Sequence, residues 1–178
     1  MSAKRKFEDI RSVMDKLQAS LEEDYPGIKI ELGDQNVDTP EYPFGSYKVL
    51  VLNQDATKSA SSWIETIDSD QLKQVSRKNQ QASISMTFLH DKSIATCWDL
   101  SEKAMDWFDS TQGLMECEKF GIIPHLINAD VQDRTTVLES VQYEYKTGFD
   151  VMFKSRKLSE TQVQATASAP SVEFQEGT

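Results

Sequence analysis

Cysteine is nearly missing from this 178-residue chain: only Cys97 and Cys117 occur, 20 positions apart. With no second pair and no His-x-x-His spacing, neither a disulfide framework nor a zinc site fits. The two read as small core residues in a reducing compartment. Glycine is scarce as well, and the seven glycines are scattered, so no Gly-rich loop is present to cradle a phosphate. Long apolar runs are missing. No stretch approaches the ~20 apolar residues of a membrane span. The opening "MSAKRKFEDIRS" has nothing like the ~7–15-residue apolar core of a signal peptide. The expectation is a protein made and assembled in a cytosol, without membrane contact. Positive charge is in short supply too: 19 Lys and Arg face 29 Asp and Glu, a net charge of −10. That balance argues against a nucleic-acid reader or a protein built for anionic membranes.

What is present suits one domain with ragged ends. About 150 ordered residues bury roughly 70% of their unfolded surface, enough for a core without covalent staples. After Lys157 no positive charge appears, and "SETQVQATASAPSVEFQEGT" is rich in Ser, Thr, Gln and Ala. Residues 1–157 are therefore expected as the folded domain and 158–178 as a flexible tail.

Periodicity sets the elements. Phe7, Ile10, Met14, Leu17 and Leu21 make one apolar stripe on a helix from about Lys4 to Asp24, which Pro26-Gly27 ends. Ile28, Ile30 and Leu32 alternate as a first strand, and "SYKVLVLNQ" reads as a second, central one. Residues 53–80 are polar and weakly periodic, with Trp63 and Ile64 as their large apolar pair. A connection this long is expected to protrude as a loop or arm. In "ASISMTFLHD" Ile84, Met86 and Phe88 face inward on a third strand. Asp91 or Ser93 caps a second helix, which Gly113 closes. "FGIIPHLINADVQDR" gives a fourth strand, with Pro124 marking an edge or bulge.

The fifth strand, around "YEYKTGFDVMF" (residues 143–153), poses a choice between a hairpin and one long strand. A turn at Thr147-Gly148 would pair Tyr145 with Asp150 and mix aromatic with charged groups on both faces. A continuous strand keeps Tyr143, Tyr145, Phe149, Val151 and Phe153 on one side, and Val141 extends the pattern. One strand is the consistent reading, with Gly148 as a bend or bulge and Tyr143, Tyr145 and Phe149 packed in the core. The order α-β-β-β-α-β-β makes an α+β fold: a single, mostly antiparallel sheet of about five strands with two helices on one face.

Catalytic signals are weak. His90-Asp91 has no Gly-x-Ser-x-Gly partner, and His125 follows a proline inside an apolar strand. The acidic pairs in "EEDYPG" and "DSDQ" lack the spacing of a calcium loop. No catalytic residue, metal ligand or cofactor is assigned. Asp130, Asp133 and Arg134 lie between two apolar strands, where an Arg fork can hold a carboxylate.

The succession "YPFGSYKVLVL", "SISMTF", "AMDWF", "GIIPHLINADVQDRTTVLES" and "YEYKTGFDVMF" resembles the neck or tail terminator proteins of tailed bacteriophages. It spans about Phe7 to Lys157. Arg134 followed by a strand closing in Gly148-Phe149-Asp150-Val151 is the combination that carries most of it. Lys146-Thr147 stands where the family often has Arg before that Gly, and residues 53–80 have no counterpart. The resemblance implies a structural virion protein, not an enzyme, assembled in the host bacterial cytoplasm. It also implies a ring of six copies at the end of the tail, meeting the tail tube protein and the head connector, with DNA passing through the lumen without tight binding. An overlong strand and a protruding arm suit such contacts. Asp133, Arg134, Gly148, Asp150 and Trp63 are the interface candidates. Another neck or tail-tube component is the nearest alternative. A small ligand-binding or hydrolytic α+β domain is the alternative of a different class.

Overall fold

The apolar stripe of the first segment winds into α1 (Ala3–Leu21), with Ile10, Val13, Met14, Leu17 and Leu21 buried. Lys6, not Phe7, carries the buried stripe into the first turns. A computed structural model describes residues 3–33, 38–56, 61–68, 71–128, 130–138 and 142–164. After Gly27, whose φ of 83° suits glycine, β1 (Lys29–Leu32) runs parallel to β2 (Phe44–Asp55). Then follow β3 (Ser61–Asp68), β4 (Gln71–His90), α2 (Ile94–Asp109), α3 (Thr111–Lys119) and β5 (Ile122–Leu126). The short β6 (Gln132–Asp133) and β7 (Thr136–Leu138) precede β8 (Gln142–Gln164).

The sheet has the spatial order β1-β2-β4-β8-β5, with β3 added to β4 and β6 and β7 to β8. The α+β class stands. The details differ from expectation: the described residues form eight strands and three helices, and the β1–β2 pair makes the sheet mixed. One reason is Ser110. It ends α2, and its Oγ accepts the Gly113 N–H (3.0 Å) to start α3, so Gly113 opens a helix instead of closing one. A Cβ there would lie 1.9 Å from the Trp107 carbonyl oxygen, so glycine lets the two helices meet. At the other end of α2, Ser93 is the cap, its Oγ accepting from Thr96 N at 3.2 Å.

The core lies between the helices and one face of β4 and β8. Ala82, Ile84, Met86 and Phe88 meet Phe149, Val151 and Phe153, with Phe108 edge-on to both phenyl rings at 6.3 and 5.9 Å. Each such buried side chain contributes roughly 1.5–3 kcal/mol of transfer free energy. Both cysteines are buried free thiols; burial pushes Cys97 up to about 11 and Cys117 to about 12.

All 20 residues of β4 pair with β8, from Gln71↔Gln164 to His90↔Tyr145, without a register shift. The strand around residue 148 is therefore continuous, as its parity implied. It has no bulge at Gly148, and Gly148 is not among the described glycines with positive φ. Beyond Gln80, where β2 stops pairing, β3, β4 and β8 continue as a three-stranded arm. Its nine-residue reach along β4, residues 71–79, corresponds to ~30 Å. The polar 53–80 segment is thus largely strand. Residues 158–164, expected as tail, are the arm's third strand, and residues 165–178 lie outside the described residues, as does Val141.

Tyr143 and Tyr145 are a second correction. Tyr143 is exposed and Tyr145 half-buried, because β8 here reaches the end of β4 at His90↔Tyr145 and continues beyond it to pair with β7. The two rings stack on each other at 6.2 Å instead of packing the core.

Candidate functional site

The face of the sheet away from the helices carries the polar alternates of the same strands: Ser83, Ser85 and Thr87 on β4, Gly148 and Asp150 on β8. Arg134 lies across it. The chain reaches this position by pairing β6 with β8 at Gln132↔Gly148 and Asp133↔Thr147, then by a bond from Arg134 N to Lys146 O (2.8 Å). Asp133 shapes the turn: its Oδ1 accepts the Thr135 N–H at 2.9 Å, and hydrogen bonds from Thr135 hold its carboxyl below the ordinary value.

The guanidinium then spans both long strands. Nη1 donates to Ser85 Oγ (2.7 Å), Met86 O (3.0 Å) and Thr87 Oγ1 (3.2 Å). Nη2 donates to Asp150 Oδ1 (3.0 Å) and reaches Gln132 Oε1 at 3.5 Å. Ser85 Oγ donates to the same Asp150 Oδ1 at 2.7 Å, closing a ring of three groups over the β4–β8 seam. The carboxylate is held by a single oxygen, not by the two-pronged fork the sequence suggested. Arg134 and Asp150 keep about a quarter to a third of their side-chain surface, 24% and 30%. The ion pair alone is therefore worth no more than about 1 kcal/mol.

Gly148 makes this geometry possible. A Cβ there would sit 2.1 Å from Met86 O and 2.9 Å from Arg134 Nη1. The glycine marks a close approach of two backbones and a guanidinium, which is the second meaning of glycine inside a strand.

A second cluster lies where β8 begins. Tyr42 Oη donates to Glu144 Oε1 (2.8 Å), and Lys146 Nζ meets Glu144 Oε2 at 2.5 Å. Burial raises the Glu144 carboxyl, but its bonds to Lys146 and Tyr42 outweigh that and hold it below the ordinary value. Burial and then the Glu144 bond push Tyr42 up to about 12. His90 stacks on Tyr42 at 6.4 Å, and its Nδ1 lies 2.9 Å from Asp91 Oδ1, a contact at the turn after β4.

Of the sequence-selected residues, the fold brings Arg134, Gly148 and Asp150 together. Asp133 stands beside them, exposed, as the residue that aims Arg134. Trp63 is elsewhere, exposed on the arm, its Nε1 donating to Glu65 Oε1 at 2.7 Å. Asp130, the third member of the sequence cluster, is exposed and joins a cleft beside α2 instead. Sequence reasoning missed Ser85, Thr87 and the Tyr42–Glu144–Lys146 group. The small polar alternates of β4 were the available signal for the first two. Chemically, the Arg134 arrangement fastens the two strands, with Arg134 and Ser85 both donating to the Asp150 carboxylate. Among the described residues no group of three or more His, Cys, Asp or Glu has metal-binding geometry, and no helix is long and apolar enough to cross a membrane.

Compared with known proteins, residues 9–177 match the family model described as "Phage neck terminator protein". No curated protein matches the chain.

Proposed function

The chain belongs to the phage neck terminator family, and from that premise we propose that it forms a ring, six copies in our reading, that caps the completed tail tube. The coarse role is that of a structural component of the virion neck. The finer role is to join tube to head: one face of the ring meets the tail tube protein and the other the head connector, after assembly in the host cytoplasm.

The observation that carries this reading is the match over residues 9–177, nearly the whole chain. The geometry supports it through β4 and β8. Two strands of 20 and 23 residues extend past the body as an arm whose described side chains include only one buried hydrophobic, Val75. A sheet with so little core of its own gains stability from a further surface. Trp63 on the arm and Asp133 beside the clamp are the candidates for direct subunit contact. Arg134, Gly148 and Asp150 serve by holding the two long strands in register.

In this reading DNA passes through the lumen without being gripped. Six copies of a −10 chain carry −60, and net repulsion of that kind opposes the counterion release that drives tight phosphate binding. The test is native mass spectrometry and electron microscopy of the purified protein, alone and with purified tails. Rings, free or on tail ends, are expected. A strict monomer that also fails to bind tails refutes the reading.

A further inference from the structure

The arm is basic in an acidic protein. Residues 71–90 contain no Asp or Glu, nor do residues 151–159. Pairing groups these cations by face: Lys78 stands directly opposite Lys157 on one face of the arm, while Arg77 (opposite Leu158), Arg156 (opposite Asn79) and Lys154 two residues along share the other. Lys73 is neutralised by Glu160 at 2.8 Å. Arg77, Lys78, Lys154, Arg156 and Lys157 have no ion pair among the described residues. Like charges directly opposite destabilise a sheet, so this belt costs stability within the subunit and needs an anion from outside. Residues 61–81 and 154–164 together hold six cations and four acids, a net +2, leaving −12 on the rest of the chain.

The body has the complementary feature. A cleft of about 380 Å³ beside α2 is lined by Trp98, Glu102, Met105, Asp106, Asp130 and Val131. Glu102, Asp106 and Asp130 are exposed and in no ion pair among the described residues. The cleft lies toward the far end of the long ladder. Trp98 and Glu102 follow closely on the end of β4, and Asp130 precedes β6, which pairs at Gly148 opposite Thr87. From Thr87 to Arg77 along β4 is ten residues, or ~33 Å. A subunit's own arm therefore points away from its own cleft.

We propose that the basic arm of one copy docks in the acidic Glu102–Asp106–Asp130 cleft of the next copy. The proposal rests on the ring reading and specifies its interface. Two different patches, one on the arm and one on the body, make a head-to-tail contact, the kind that closes into rings. It also answers an electrostatic problem, since bodies of −12 repel one another unless a positive element lies between them. Protein suits the arm better than DNA does, because Trp63, Ile64 (67% exposed), Ile67 and Leu158 (60% exposed) share it with the cations. Apolar side chains gain from the Trp98 and Met105 of a cleft and nothing from phosphates.

Charge exchange tests this. Lys78→Glu with Lys157→Glu reverses the directly opposed pair and takes the five unpaired cations from +5 to +1, while keeping a like-charged pair at that position. Glu102→Lys with Asp106→Lys reverses the cleft on an exposed helix face. Assembly is followed by sedimentation velocity and by electron microscopy of tail ends, and melting curves check that each variant folds. Each reversed protein alone is expected to need at least tenfold more protein to assemble, while an equimolar mixture, or both reversals in one chain, restores assembly. Wild-type assembly should weaken between about 0.1 and 1 M salt as screening shortens from ~10 to ~3 Å. Folded reversal variants that assemble like the wild type overturn the docking and leave the ring reading intact. A wild type that assembles neither alone nor on tails overturns both. A duplex-DNA gel shift that the Lys78→Glu/Lys157→Glu pair abolishes, with assembly unchanged, assigns the belt to phosphate and also overturns the proposal.

Discussion

Substituting alanine for Gly148 tests the central contact of the β4–β8 seam. The backbone there does not need glycine for its φ, so the cost comes from contact and not from strain. The new Cβ would stand 2.1 Å from Met86 O. Bringing that pair to van der Waals distance requires the strands to part by roughly 1 Å, an overpacking cost of about 1–3 kcal/mol. The same movement stretches the Arg134 bonds to Ser85 and Met86, now 2.7 and 3.0 Å. Charge-assisted bonds are worth about 1.5–3 kcal/mol each when intact, and partial exposure reduces what is lost here. The total is about 2–4 kcal/mol, which for a domain of this size lowers the melting midpoint by about 5–15 °C. Thermal melts of Gly148→Ala, Arg134→Ala and the double variant measure it. Because both changes disturb one contact, the double variant should lose less than the two losses added. A Gly148→Ala protein that melts within about 1 °C of the wild type, or full additivity, refutes the reasoning.

Glu144 makes stability pH-dependent. Its carboxyl is held below the ordinary 4.5, so its contribution is complete above that value and disappears as pH falls through the folded-state value. The wild type should therefore melt above Glu144→Gln at neutral pH, with the gap closing in acid; a pH-independent gap contradicts the assignment. Lys6 is 1% exposed, with no partner for its Nζ among the described residues. Lys6→Met should stabilise by ~1–2 kcal/mol in urea titrations, and a loss of stability means that the ammonium is paired in the folded protein. Ending the chain after Lys157 removes the strand opposite Gln71–Arg77. Limited proteolysis should then cut within residues 61–77 while the body's melting midpoint holds; an uncut arm shows that β3 and β4 suffice. The buried Cys97 and Cys117 thiols should react with a thiol reagent at about pH 8 only after denaturation, and fast labelling of either contradicts its burial.

Legibility in the sequence followed how local the cause was. Alternation along residues 143–153 gave the continuity of β8, and the spacing of Ile10, Met14, Leu17 and Leu21 gave the core face of α1. Both are properties of neighbouring residues. The protrusion was expected, but the length and pairing of its strands were hidden for the opposite reason. Residues 71–81 show little apolar periodicity because their strand character comes from pairing with β8, far along the chain. Leu72↔Val163 is one such pair. Gly148 was ambiguous on its own, since glycine in a strand means either a bulge or a close approach. Only Met86, brought there by the fold, decides between them. The Arg134 site was half legible: Arg134 stood out between two apolar strands and Asp150 in the Gly148–Val151 stretch that carries the family resemblance, but Ser85 lies 49 positions away from Arg134 and nothing near either residue announces the contact.

The unbroken β4–β8 ladder also imposes an order in time. Its partners are 55 positions apart at His90↔Tyr145 and 93 apart at Gln71↔Gln164. The shorter closure is entropically the easier one, and that half of the ladder carries the apolar pairs from Ala82↔Phe153 to Met86↔Phe149 that make closure favourable. Zippering should thus begin at the body and run outward, with the amides of Gln71–Arg77 the last to gain protection in pulse-labelled hydrogen exchange. A newly made chain then displays its arm only after its own core has closed. On the docking proposed above, half-folded subunits would be excluded from a growing ring by chronology alone, without a separate checkpoint.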